Sequence, residues 1–190
     1  MKKLELVYKE ILDSRIEKSM TRFTQAEISR KLHISLSTVN HALIPLKNMG
    51  AIKISIRFFD VTDAKKILYY WASIRNIEKD IIYKTRVDAD VTDIEKKMSN
   101  DAVFAVYSAY KFIFKSMPAD YSEVYVYASD ITEIKRRFPE NKNVSNLFVI
   151  NGDLKRMSMS HLFVDIWNMK EWYAKEFLKE LEARIDGLLA

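Results

Sequence analysis

The sequence predicts an α+β chain with a basic, mainly helical head over its first third and a body in which strands and helices alternate. Three observations carry this. Apolar residues recur at helical spacing up to Gly50 and at alternate positions just after it. From about residue 79, short strand-like apolar runs alternate with capped helical stretches, the pattern of a small mixed sheet clothed by helices. The charge is also uneven: residues 1–66 carry 13 Lys/Arg against 7 Asp/Glu, a net +6, while residues 67–190 carry 18 against 19. A basic head beside a near-neutral body suits either a polyanion partner or a merely solvated basic surface.

In the head, Leu4, Val7, Tyr8, Ile11, Leu12 and Ile16 share one helical face, interrupted at Thr21–Phe23. Thr24-Gln25-Ala26-Glu27 is a capping box: the Thr24 hydroxyl accepts from the Glu27 amide and the Glu27 carboxylate reaches back. His33-Ile34 breaks this short helix and Ser35 caps the next. That helix buries Val39, Ala42, Leu43, Leu46 and Met49 and turns Ser37, Thr38, Asn40, His41 and Lys47 outward. Gly50 stands where a helix end favours a left-handed residue. Pro45 lies inside the helix and removes the amide that would bond the His41 carbonyl, so a kink or early end is expected there. Ile52, Ile54, Ile56 and Phe58 alternate with Lys53, Ser55 and Arg57, reading as one strand with a basic outer face.

The stretch Thr24–Val39 resembles the signature "T-x-x-E-[IL]-[AS]-x-x-L-x-[IV]-S-x-S-T-V" of the winged helix-turn-helix family. Leu43, Leu46, Gly50, Ala51 and Ile52 continue its "L-x-x-L-x-x-x-G-x-I" tail. The resemblance covers about residues 4–63. It implies a recognition helix at about 36–49 lying in the major groove of double-stranded DNA. Asn40 has two readings, a bidentate adenine contact or a solvated amide. Ser37, Thr38 and His41 could reach bases or phosphate. Thr24 and Ser35 mark helix starts where free amides favour a phosphate. Arg22, Arg30, Lys31, Lys47, Lys53 and Arg57 would attract DNA without regard to sequence. With no glycine turn in Ala51–Phe59, the wing is expected to be short or absent.

In the body, Asp63 caps a helix to about Asn76 that links it to the head. Ile81–Val87 reads as a strand, and Asp90 caps a short helix ending near Met98. Residues 101–115 read as a buried helix, Glu123–Ala128 as a strand, and Asp130 starts a helix stopped by Pro139. Asn143–Ile150 reads as a strand, and a last helix runs from about Lys170 to Leu189. The expected domains are 1–62 for the head, 63–78 for the connecting helix and 79–190 for the body. Leu162, Phe163, Val164, Asp165 and Ile166, followed by Ala174, Glu176, Phe177 and Leu178, resemble the closing "Q-L-[YF]-[LV]-D-L…A-x-E-F-[LI]" pattern of AbiEi-type antitoxins. His161 stands in place of the usual Gln, and Met169–Tyr173 in place of an Arg-Gly. This resemblance implies a small mixed α/β domain similar to a nucleotidyltransferase fold without its catalytic set.

Composition narrows the chemistry. The 190 residues include no cysteine, which excludes disulfides, thiol nucleophiles and cysteine-held zinc. The three glycines, Gly50, Gly152 and Gly187, have neither P-loop nor dinucleotide-fold spacing. Asp88-Ala89-Asp90 superficially suggests paired metal carboxylates, but without an upstream Gly-Ser phosphate loop it reads as a strand exit and a helix cap. His161 and Asp165, at i and i+4, have no evident nucleophile or third ligand beside them. No catalytic residue, metal or cofactor is therefore expected. Apolar runs reach only six residues, as at Ala102–Tyr107, too short to span a bilayer, and Glu5, Lys9 and Glu10 break the opening stretch, against a signal peptide. A cytoplasmic regulator, acting as repressor or autoregulator, is expected. The expectation is a homodimeric, sequence-specific DNA-binding regulator, with two alternatives: an antitoxin that neutralises a toxin partner through its body, and an enzyme of nucleotidyltransferase type.

Overall fold

Helix α1 (Lys3–Lys18) forms because its apolar row falls on one face. Val7, Tyr8, Ile11, Leu12 and Ile16 are all buried. Strand β1 (Arg22–Phe23) follows, then α2 (Gln25–Leu32), α3 (Leu36–Asn48), β2 (Ile52–Ile54), β3 (Phe59–Val61) and α4 (Ala64–Ile74). The computed structural model describes residues 1–190. The chain is α+β, with nine α-helices and two small sheets, and no helix is long and apolar enough to cross a membrane. It divides into two compact units. The first holds Met1–Arg75, Met159–Val164 and Leu181–Ala190; the second holds Asn76–Ser158 and Asp165–Glu180.

In the first unit, α1 packs on α2, α3 and α4. The three strands form an antiparallel sheet in the order β1-β3-β2. The single strand expected over residues 52–58 is instead a hairpin. The chain reverses at Ser55–Phe58, where the Ser55 amide donates to the Phe58 carbonyl at 2.8 Å. The reason is non-local. Phe59 and Val61 take the core positions, Phe59 stacks on Phe23 at 5.6 Å, and Ile56 is left fully exposed at the tip. A short antiparallel hairpin, β2–β3, is therefore present, built without glycine. Of the kink or early end expected at Pro45, the early end does not occur, and α3 runs on to Asn48. Buried Val39, Ala42, Leu43 and Leu46 hold it against the loss of one hydrogen bond.

The second unit begins with a 3-10 turn (Ile77–Asp80). It continues through β4 (Ile81–Thr85), α5 (Val91–Lys96), β5 (Val103–Ala105), α6 (Val106–Phe114), β6 (Val124–Ala128), α7 (Thr132–Arg137) and β7 (Leu147–Asn151). Helices α8 (Met159–Trp167) and α9 (Ala174–Leu189) contribute residues to both units. The sheet is mixed, in the order β4-β7-β6-β5. Only β6 and β7 are parallel. One face carries a core of Ile94, Met98, Val124, Val126, Ile134, Phe138, Leu147 and Val149. On the other, Tyr125 stacks on Phe148 at 4.7 Å.

Residues 101–115 depart from the expected helix. Val103–Ala105 pair with β6 as an edge strand, and the helix starts only at Val106. The run AVFAVY has no helical period of its own, so pairing decides it. Val106 enters the helix at φ 50, a left-handed conformation that costs a non-glycine residue about 1–2 kcal/mol. The closing helix begins at Ala174 rather than Lys170, and the strand before it at Leu147 rather than Asn143.

Candidate nucleic-acid interface

The turn between α2 and α3 is short and tightly bonded. Thr24 and Glu27 form the capping box, with the Thr24 Oγ1 accepting the Glu27 amide at 3.2 Å. His33 closes α2 in the left-handed region at φ 52, and the Ser29 hydroxyl donates to the Ile34 carbonyl at 2.6 Å. Ser35 then caps α3, its Oγ accepting the Thr38 amide at 3.1 Å. Gly50, at φ 71, ends this segment, with the Ala51 amide returning to the Leu46 carbonyl at 2.9 Å. These local bonds fix one face of α3 inward and leave the other to solvent.

The outward face holds Leu36, Ser37, Asn40, His41, Ile44 and Lys47, all exposed. Ser37, Asn40, His41 and Lys47 make no hydrogen bond or ion pair with other side chains, so their polar groups are free for a ligand. Exposed Arg30, Lys53 and Arg57 are likewise unpaired, and with Lys47 they are the four uncommitted cations among the candidates. Arg57 sits in the hairpin turn and Lys53 on β2.

Other candidates are engaged within the protein. Arg22 forms a two-point pair with Asp60, at 2.8 and 3.4 Å, and lies 3.9 Å over the Phe58 ring. That hydrogen bond holds its proton still more firmly than usual. Lys31 pairs with Glu10 on α1. Thr24 also donates to the Glu27 carboxylate at 2.8 Å, and its amide meets the same group at 3.3 Å. The start of α2 thus already carries a carboxylate where a phosphate was expected. Ser35 and Thr38 share a hydroxyl contact at 2.8 Å.

The head therefore divides its twelve candidates into free groups (Ser37, Asn40, His41, Arg30, Lys47, Lys53 and Arg57) and committed ones (Thr24, Arg22, Lys31, Ser35 and Thr38). Sequence reasoning passed over Leu36 and Ile44. The signal was present, because they sit four residues either side of Asn40.

In the second unit, Asp90 Oδ1 accepts the Asp93 amide at 2.8 Å as the cap of α5, and Asp88 accepts from Arg86 at 3.3 Å. No group of three or more His, Asp or Glu side chains could hold a metal ion. His161 is wholly buried in the first unit, with its ring 5.6 Å from that of Trp71. Burial, helped by the charges of Lys9 and Arg75, pushes its pKa down to about 3. No family model matches the chain, and neither a curated protein nor a solved structure matches it.

Proposed function

We propose that the first unit is a winged helix-turn-helix module and that the protein is a sequence-specific, double-stranded DNA-binding transcriptional regulator. The observation that carries this is the exposed face of α3 with its free polar groups, together with the uncommitted cations Arg30, Lys47, Lys53 and Arg57 in the same unit. A helix of this kind fits the major groove, where Asn40 has the donor–acceptor pair that reads adenine. Ser37 and His41 lie beside it for bases or phosphate. Arg30, Lys47, Lys53 and Arg57 neutralise backbone charge, and the hairpin carries Arg57 toward the neighbouring strand of the duplex. One head covers a short site, so the reading expects two copies on paired half-sites. The second unit serves dimerisation or partner binding in this reading and performs no catalysis.

The test is duplex binding across a salt series. Four phosphate contacts per head give a slope of log K on log salt of about −3 to −4, since each neutralised phosphate contributes about −0.9. Combining Asn40→Ala with Lys47→Ala should weaken binding and flatten the slope by about 0.9. Absence of binding at low salt rejects the reading.

A further inference from the structure

The solvent face of α3 consists of two rows. Leu36, Asn40 and Ile44 follow one another at intervals of four residues; Ser37 and His41 form the row beside them. At 1.5 Å per residue the first row is about 12 Å long, the rise of three to four base pairs. Its two aliphatic ends are open to water: Leu36 is 54% exposed and Ile44 48%. They are not needed to hold the helix, because Val39, Leu43 and Leu46 are fully buried on its other side. Isoleucine is also a poor choice for an exposed helical position on propensity grounds, being stiff at its branched carbon. These two side chains leave apolar surface in water on either side of Asn40, where a ligand with apolar groups at the same spacing would cover it.

The ligand's chemistry follows from the row itself. In the major groove, the one apolar group on a base edge is the thymine methyl, and the partner matched to an amide side chain is adenine. Both chemistries in the row select the same base pair. The row contains no Arg or Lys, the side chains that read guanine; the nearest, Lys47, lies three residues beyond Ile44 on the last turn. The free cations of the head complement a polyanion rather than an apolar protein surface.

Resting on the DNA-binding reading above, we propose that α3 recognises a half-site rich in A·T pairs, with Asn40 on an adenine and Leu36 and Ile44 against thymine methyl groups. Ser37 and His41 border this row and adjust its register.

The experiment has a DNA side that needs no variant. Duplexes bound by the 190-residue chain are selected from a random pool, and each thymine of the enriched half-site is replaced in turn by deoxyuridine, which removes only the methyl group. The enriched half-site should contain a run of three or four A·T pairs. Each contacted methyl should be worth about fourfold in affinity, the value of burying one such group. Leu36→Ala with Ile44→Ala should bind the selected duplex more weakly and no longer distinguish thymine from deoxyuridine. Both positions are exposed, and a thermal melt verifies that the variant is folded. Three results overturn the proposal: a G·C-rich enriched site, wild-type binding indifferent to deoxyuridine, or a double variant that keeps the full deoxyuridine penalty. With duplex binding intact, these reject base readout by the row alone and leave its apolar ends to a protein partner. Failure to bind any duplex rejects the DNA-binding reading and this proposal together.

Discussion

Glu5 shows how much one buried charge can organise. Its side chain accepts from the Trp71 indole at 3.2 Å and the Lys2 amide at 3.2 Å, and pairs with the buried Arg75 guanidinium at 3.5 Å. Glu5→Ala removes one side of a buried ion pair, which costs about 3–5 kcal/mol because the buried guanidinium loses this counter-charge. Urea unfolding measures it, and an unchanged midpoint would refute the role. His161 belongs to the same unit and makes stability depend on pH. Its pKa is about 3 in the fold, against 6.5 as the ordinary value, so the unfolded chain binds the extra proton first. The stability it supports is whole above about pH 6.5 and is lost as the pH falls toward 3. Each pH unit well inside that window costs up to about 1.4 kcal/mol. Melting temperature between pH 6.5 and 5 should fall in the wild type and fall less in His161→Gln. Parallel curves for the two proteins would show that another group titrates. Neither role was legible in the sequence, where Glu5 reads as a surface charge on a helix and His161 as one member of an i, i+4 pair.

At the scale of elements, the signals legible in the sequence are the local ones. Thr24, Ser35, Asp63 and Asp90 cap their helices because a hydroxyl or carboxylate needs only an amide two or three residues ahead. The hairpin and β5 differ from the local expectation because their identity depends on partners far along the chain. Phe59 pairs with Phe23, and Val103 with Tyr127. The free side of α3 was also legible from its period. The withdrawal of Arg22 and Lys31 into ion pairs was not, since Asp60 and Glu10 lie 38 and 21 residues away from them. Ser35→Ala isolates one local determinant. It removes the acceptor for the Thr38 amide and should cost about 1 kcal/mol, read as a lower melting temperature. Pro45→Ala should act in the opposite direction, because it restores a helical amide at a position that already has helical backbone. A Pro45→Ala variant no more stable than wild type would mean that the proline's rigidity in the unfolded chain offsets the missing bond.

For the whole molecule, sequence order and spatial order diverge. The first unit takes residues 159–164 and 181–190 from the far end of the chain. Leu162, Phe163, Leu181 and Ile185 are fully buried. Ser160 bonds Asp13, Tyr69 bonds Glu182, and Lys65 reaches both Glu182 and Asp186 at 2.9 Å. The Arg15 guanidinium donates to the Leu189 carbonyl at 3.1 Å. The exposed ion pairs contribute little each, so the weight rests on the aliphatic and aromatic side chains, about 1.5–3 kcal/mol apiece when fully buried. Periodicity announces that such helices have a buried face but not which part of the chain covers it. A head that looks self-contained in the sequence is thus completed by the C-terminus. A fragment of residues 1–75 should accordingly unfold at a lower temperature and denaturant concentration than the same residues in the full chain. Hydrogen exchange at the α1 and α3 amides, which reports those residues in both contexts, should be faster in the fragment. Equal protection would assign the head's stability wholly to its own first 75 residues and make the returning segments mere passengers.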